Sequence, residues 1–176
     1  VKIPLGIFFV WYNLPMKTRS DIENLLKEKG IEYSIVEHPA VFTMEEIDAY
    51  DLPHKELIAK NLFLRDDKKR NYYLLTIRGY LSMNLKEFKN KAGTRALSFA
   101  SEEDLENKLL LRKGEVTPFG ILNDEKNEVH VFIDTYFKDN SIYVHPNDNS
   151  ASLLLKTEDL ISILKDHGNE VEYIEM

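Results

Sequence analysis

Between residues 58 and 77 two apolar runs flank a charged turn, and this hairpin constrains the fold more than any other stretch. Residues 58–64 are apolar apart from Lys60 and Asn61. Residues 66–71 (DDKKRN) form the turn, and residues 72–77 return as a second strand. Short apolar runs bounded by turn residues read as paired strands. Lys60 is the exception inside a strand otherwise fit for burial. Lysine is almost never fully buried without a partner, so it either points outward on the sheet or serves a polar pocket. In a pocket its ammonium would donate to a carbonyl or a phosphate.

The rest of the chain alternates helices and strands without a regular βαβ rhythm. Ser20 and Glu23 have capping-box spacing for a helix carrying Ile22, Leu25 and Leu26, stopped by Gly30. Residues 31–36 alternate as a strand. Thr43 and Glu46 form a second capping box, opening a short helix. Leu81, Leu85 and Phe88 mark a helix closed by Gly93, and residues 95–99 make a strand. Ser101 and Asp104 cap a helix holding Leu105 and Leu109, which Gly114 is expected to close. Residues 121–122, 129–133, 141–144 and 150–155 read as strands. Thr157 is expected to cap a helix with Leu160, Ile161 and Leu164, and residues 170–174 close as a strand. This mixture predicts an α+β fold with a strongly curved, mixed sheet.

At 176 residues the chain suits one domain, or one domain with an appendage. Residues 1–15 (VKIPLGIFFVWYNLP) are apolar and aromatic but too short to span a bilayer, and no small-residue cleavage site follows them. Met16 reads as an initiator, which makes residues 1–16 an extension and 17–176 the working domain. An edge strand or packing arm is the other reading of that extension. The absence of cysteine excludes disulfides, thiolate nucleophiles and cysteine-bound zinc, and it fits a reducing, cytoplasmic setting. A net charge of −7 argues against wholesale coating of nucleic acid, though it permits a local basic patch. Arg95 stands at the start of a strand within such a cluster, where a contact to RNA would read phosphate.

The loop KGEVTPFGILND (residues 113–124) holds Gly114, Pro118 and Gly120. It suits an ordinary turn. It also suits a loop that gathers backbone N–H groups around an oxyanion. The five histidines make no His-x-His or His-Glu-x-x-His spacing, so no metal site is expected. His38 and His145 each precede a proline at a strand end. No Gly-x-Ser-x-Gly, P-loop or dinucleotide fingerprint occurs, which leaves water as the attacker in any hydrolysis.

Taken together, VEHPAVFTMEE (36–46), KNLFLRDDKKRNYYLL (60–75), LSFASEEDL (97–105), GEVTPFGILND (114–124) and YVHPNDNSA (143–151) resemble the YbaK/prolyl-tRNA-synthetase-associated domain family of aminoacyl-tRNA editing proteins. The branch most similar is the freestanding Ala-tRNA(Pro) deacylases. The resemblance implies a curved, partly barrel-like mixed sheet flanked by helices, and hydrolysis of the ester that joins alanine to tRNA. It implies catalytic roles for Lys60, Gly114 and His145, and substrate contacts at His38, Phe42, Thr43, Asn61, Thr117 and Pro118. It further implies tRNA contact at Arg95 and no cofactor. Mischarged tRNA, held by its acceptor end, is the implied partner, with prolyl-tRNA synthetase as a second. Two alternatives stay open: deacylation of another mischarged amino acid such as cysteine, or a non-catalytic module that binds aminoacyl-tRNA or a synthetase.

Overall fold

Strands β2 (Ala59–Asp66) and β3 (Tyr72–Arg78) form the expected antiparallel hairpin, in register from Ala59 opposite Arg78 to Arg65 opposite Tyr72. They lie inside a five-stranded mixed sheet. The computed structural model describes residues 16–176, so what was expected of residues 1–15 lies outside the described residues. The other strands of this sheet are β4 (Leu97–Phe99), β5 (Val129–Asp134) and β8 (Val171–Ile174), in the order β4-β2-β3-β5-β8. The pairs β3–β5 and β5–β8 are parallel.

Both faces of the central strands are covered, which is why β3 and β5 are apolar on both sides along most of their length. Phe63, Leu74, Val131 and Ile133 enter one core with Ile22 and Leu26 of α1 (Arg19–Glu28) and Leu160, Ile161 and Leu164 of α5 (Thr157–His167). Leu64, Leu75, Ile77 and Phe132 face the other way, against Phe88 of α3 (Leu85–Ala92). Phe88 and Phe132 meet edge to face with ring centroids 5.2 Å apart.

A second, antiparallel sheet holds β1 (Tyr33–Glu37), β7 (Ala151–Lys156) and β6 (Ser141–Val144) in the order β1-β7-β6. One bridge, Ile58 to Tyr143, joins the two sheets. The expected α+β fold of curved, mixed sheet and flanking helices is thus present, divided into two sheets that form no closed barrel. Among the described residues, α2 (Met44–Asp48) and α4 (Glu102–Leu109) complete the α-helices.

Several local expectations are corrected. The box that opens α1 is Thr18 with Asp21, two residues earlier than Ser20 with Glu23, because Thr18 and Asp21 satisfy each other's N–H groups. Leu81 stands outside α3, which Asn84 caps. Leu110, in the left-handed conformation at φ 53°, ends α4 ahead of Gly114. Lys156 rather than Thr157 is the N-cap of α5, and the buried Thr157 hydroxyl has no partner among the described residues. Residues 121–122 are not a strand. Pro118 fixes the first torsion of a 3₁₀ turn, Pro118–Asn123, which drives Phe119, Ile121 and Leu122 into the core.

Asp104, the third residue of α4, ties that helix to the hairpin. Ser101 donates to it through both its N–H (2.9 Å) and its hydroxyl (2.7 Å), Tyr72 donates from its hydroxyl (2.9 Å), and Arg65 forms an ion pair with it. Burial alone would raise its pKa, but the hydrogen bonds and the Arg65 charge hold it at about 2. A depressed carboxyl pKa stabilises the fold above the unfolded value of 3.8, and that contribution is lost as pH falls towards 2. Asp104→Asn is expected to cost about 2 kcal/mol at pH 7. In urea titrations the gap between variant and wild type should narrow between pH 4 and pH 2.

Candidate active site

The two sheets diverge on either side of the Ile58–Tyr143 bridge and leave a cleft of about 590 Å³. Its floor is β2 from Ala59 to Leu62. Its other walls come from the ends of β6 and β7, the loop and helix at residues 41–47, the turn at 79–82 and the strap at Gly114 and Val116. The cleft exists because β4 covers β2 only from Leu64 to Asp66, with one further bond from the Ala100 N–H to the Phe63 carbonyl (3.0 Å). From Lys60 to Leu62 the outer edge of β2 carries no partner strand among the described residues.

Lys60 serves this polar pocket, which decides between its two readings. Its ammonium donates to the Leu81 carbonyl at 2.5 Å, reaching across to the turn after β3. Burial pushes its pKa down from the usual lysine value, and the Glu45 carboxylate on the opposite wall works against that. Asn61 accepts from the Thr76 hydroxyl at 2.9 Å, which holds its amide flat on the sheet. Alternation along β2 turns the main-chain N–H of Asn61 toward the uncovered edge, the side on which Phe63 accepts from Ala100.

His38, Phe42, Thr43, Gly114 and His145 line the same cleft. His38 is clamped. Its Nδ1 donates to the Pro39 carbonyl (2.8 Å), so Nε2 is left to accept from the Ser152 hydroxyl (2.9 Å), locking the end of β1 to β7. Thr43 caps α2 by accepting the Glu46 N–H (3.2 Å), and the Glu46 carboxylate accepts the Phe42 N–H (2.6 Å) in place of a reciprocal cap. Phe42 lies over Gly114, where a Cβ would come within 2.9 Å of the ring, and Gly114 has φ +84°. Both facts demand glycine there.

His145 differs from His38. Neither ring nitrogen has a hydrogen-bond partner among the described residues, and the same holds for the Tyr143 hydroxyl and the Asn149 amide nitrogen on the same walls. Burial pushes the His145 pKa down to about 4, although the neighbouring carbonyls of Val116 and Glu115 and the Asp148 charge favour the protonated ring. Four uncommitted polar atoms on one concave surface mark a ligand site, since buried polar groups are otherwise paired.

Three of the expected site residues are not on the cleft walls. Thr117 and Pro118 are buried behind them, where the Thr117 hydroxyl donates to the His145 carbonyl at 2.6 Å and so fixes the turn that carries the imidazole. Arg95 lies outside and makes a two-pronged ion pair with Asp67, at 2.7 and 3.0 Å. The loop from Gly114 to Gly120 spends much of its donor capacity on itself. The Glu115 N–H bonds the Arg112 carbonyl and the Gly120 N–H bonds that of Thr117. Sequence reading missed Glu45, Tyr143, Ser152 and the turn at 79–82. Gly79 was the available signal, because a Cβ there would meet Met44 and the Ile58 carbonyl.

The family model described as the aminoacyl-tRNA editing domain matches residues 38–163, which hold the whole cleft. The chain belongs to the aminoacyl-tRNA editing family. It is 43% identical, over 93% of its length and 100% of the relative's, to the prolyl-tRNA editing protein ProX of Acetoanaerobium sticklandii. It is 34% identical to the zebrafish (Danio rerio) prolyl-tRNA synthetase associated domain-containing protein 1, covering 86% of this chain and 84% of that one. Among solved structures, one described as a candidate trans-editing enzyme for prolyl tRNA synthetase superposes with a TM-score of 0.65 at 18% identity, over 90% of this chain and 96% of that one, a likeness of fold.

In this editing-family chain His145 is expected to stay neutral far below the ordinary histidine range. Its ring resonances in an NMR titration should hold constant from pH 8 to pH 5 and move only near pH 4. A lowered histidine pKa means that the unfolded chain binds the extra proton first. Stability should therefore decline as pH falls from about 6.5 to 4.

Proposed function

We propose that the protein hydrolyses the aminoacyl ester of mischarged tRNA, with alanyl-tRNA(Pro) as substrate. The observation that carries this reading is the meeting, in one cleft, of a desolvated lysine and an uncommitted imidazole, in a chain 43% identical along the full length of a prolyl-tRNA editing protein. A volume of about 590 Å³ exceeds what an alanyl group needs and leaves room for the terminal ribose and base.

Water attacks the ester carbonyl carbon, the carbonyl oxygen takes up negative charge, and collapse expels the ribose oxygen with a proton derived from the water. The Lys60 ammonium and the N–H of Asn61 are the donors we assign to the developing oxyanion, because both residues belong to the stretch of β2 that lines the cleft. His145, with a pKa of about 4, is a poor base at pH 7 and a good hydrogen-bond acceptor. We assign it the substrate's α-ammonium group. The neighbouring ribose hydroxyl is then left to orient the water. We assign the exclusion of proline to the walls at Ile58, Tyr143 and Val144, all buried in the folded chain. Direct association with prolyl-tRNA synthetase, which would hand over the tRNA, belongs to the same proposal.

Lys60→Ala should lower kcat/KM for alanyl-tRNA(Pro) by roughly 10²–10³-fold with an unchanged circular dichroism spectrum. Near-normal turnover would remove Lys60 from the mechanism. Against a panel of alanyl-, cysteinyl- and prolyl-tRNA(Pro), the alanyl ester should be cleaved fastest, and a preference for the cysteinyl ester would reassign the substrate. Arg95 can reach a phosphate only by leaving Asp67, an exchange between groups that are both exposed. Arg95→Ala should then weaken tRNA binding and reduce the salt slope by about one counterion.

A further inference from the structure

Beside the main cleft lies a second groove of about 460 Å³, lined by Phe63, Phe99, Ser101, Glu102, Leu105 and Lys113. The two are continuous, because Asn61, Leu62, Gly114 and Val116 line both. Phe99 is the last residue of β4, the edge strand, and 56% of its surface is exposed. Its ring is thereby accessible at the rim of the groove. Across the groove stands Lys113, whose side chain is 82% exposed and only loosely paired with Glu102 at 3.5 Å. Between them runs the uncovered edge of β2 at Asn61 and Leu62.

An exposed ring and an exposed cation beside a deep cleft are parts of a single-stranded nucleic-acid site. Bases stack on aromatic faces irrespective of sequence, and a nearby lysine meets the backbone phosphate. We propose that this groove holds the nucleotide that precedes the aminoacylated one, its base stacked on Phe99 and its phosphate facing Lys113. Gly114 is the saddle between the two compartments. It borders both compartments, and the Phe42 ring packs against it on the side of the main cleft. This assignment rests on reading the main cleft as the site of an aminoacyl ester at a tRNA end. It adds a grip on the strand that leads to that ester.

The test compares the full-length protein with Phe99→Ala, Phe99→Trp and Phe99→Leu. Two readouts are taken: binding of a labelled, unacylated single-stranded oligonucleotide ending in cytosine-cytosine-adenosine, and hydrolysis of alanyl-tRNA(Pro) beside the alanyl ester of adenosine alone. Phe99→Ala should weaken oligonucleotide binding by roughly 10-fold, as for one lost stacked base. It should lower by a similar factor the ratio of kcat/KM on tRNA to that on the adenosine ester, mainly through KM. Phe99→Trp should restore both and Phe99→Leu neither. Full retention by Phe99→Leu would overturn stacking in favour of an apolar contact such as a protein partner makes. Equal loss on tRNA and on the adenosine ester would also overturn the subsite, because Phe99 would then be supporting the main cleft. If the wild type hydrolyses neither ester yet binds the oligonucleotide in a Phe99-dependent way, the reaction is refuted and the nucleotide groove is supported. If hydrolysis proceeds and nothing depends on Phe99, the groove is refuted alone.

Discussion

Everything in this fold depends on β2 being buried on both faces yet left open along half of one edge. Double-sided burial drives assembly, since Phe63 and Leu64 enter separate cores and each apolar side chain removed from water contributes roughly 1.5–3 kcal/mol. The open edge follows from the shortness of β4, which pairs over three residues and then turns away into α4. Had β4 continued alongside β2 toward Lys60, the main-chain groups of Asn61 would be consumed by a ladder and both clefts would be closed. An uncovered edge is ordinarily a liability for aggregation. Here it lies at the bottom of a recess walled by α2, the turn at 79–82 and the Gly114 strap, where another sheet cannot reach it.

That recess holds polar atoms at a standing cost. The Tyr143 hydroxyl, both His145 nitrogens and the Asn149 amide are buried without partners among the described residues, and each such group is unfavourable by about 1–3 kcal/mol until something or some water meets it. The surrounding structure offsets this by over-determining the positions. Thr117 bonds the His145 carbonyl, His38 locks β1 to β7, and the Val41 N–H bonds the Asn149 carbonyl at 3.0 Å. Side chains and main chain are thus fixed by bonds formed within the protein itself, which is the condition for preorganised recognition.

How much of this was legible in the sequence varies with the range of the interaction that decides it. The hairpin, the α4 capping box at Ser101 and Asp104, and the stop at Gly93 were readable because each is settled within a few residues. The end of α4 was misread because Leu110 takes a left-handed conformation that its residue type disfavours, and Gly114 looked the better stop. Residues 121–122 were misread as a strand because a two-residue apolar pair carries no period, and Pro118 decided the matter from three residues upstream. In the site, the lysine inside an apolar strand identified itself. Thr117 and Pro118 were assigned to the substrate, whereas the chain uses them one layer back. Glu45 and Tyr143 gave no local sign, and Gly79 alone marked the turn at 79–82, since only the meeting of the two sheets makes them neighbours.

On the proposed reading, Lys60 is the group through which the cleft favours a developing negative charge. A buried ammonium is normally answered by a carboxylate, and such a pair is electrostatically complete, with little attraction left for a ligand. Lys60 has instead a neutral carbonyl, that of Leu81, while Glu45 acts on it from an exposed position without a direct bond. The partial desolvation that lowers its pKa is therefore only partly compensated. A group that acquires negative charge there completes the compensation, and does so more fully as its charge grows. The interaction is weak with a neutral ester carbonyl and strong with the oxyanion derived from it. That difference, rather than binding strength itself, is the quantity that accelerates a reaction.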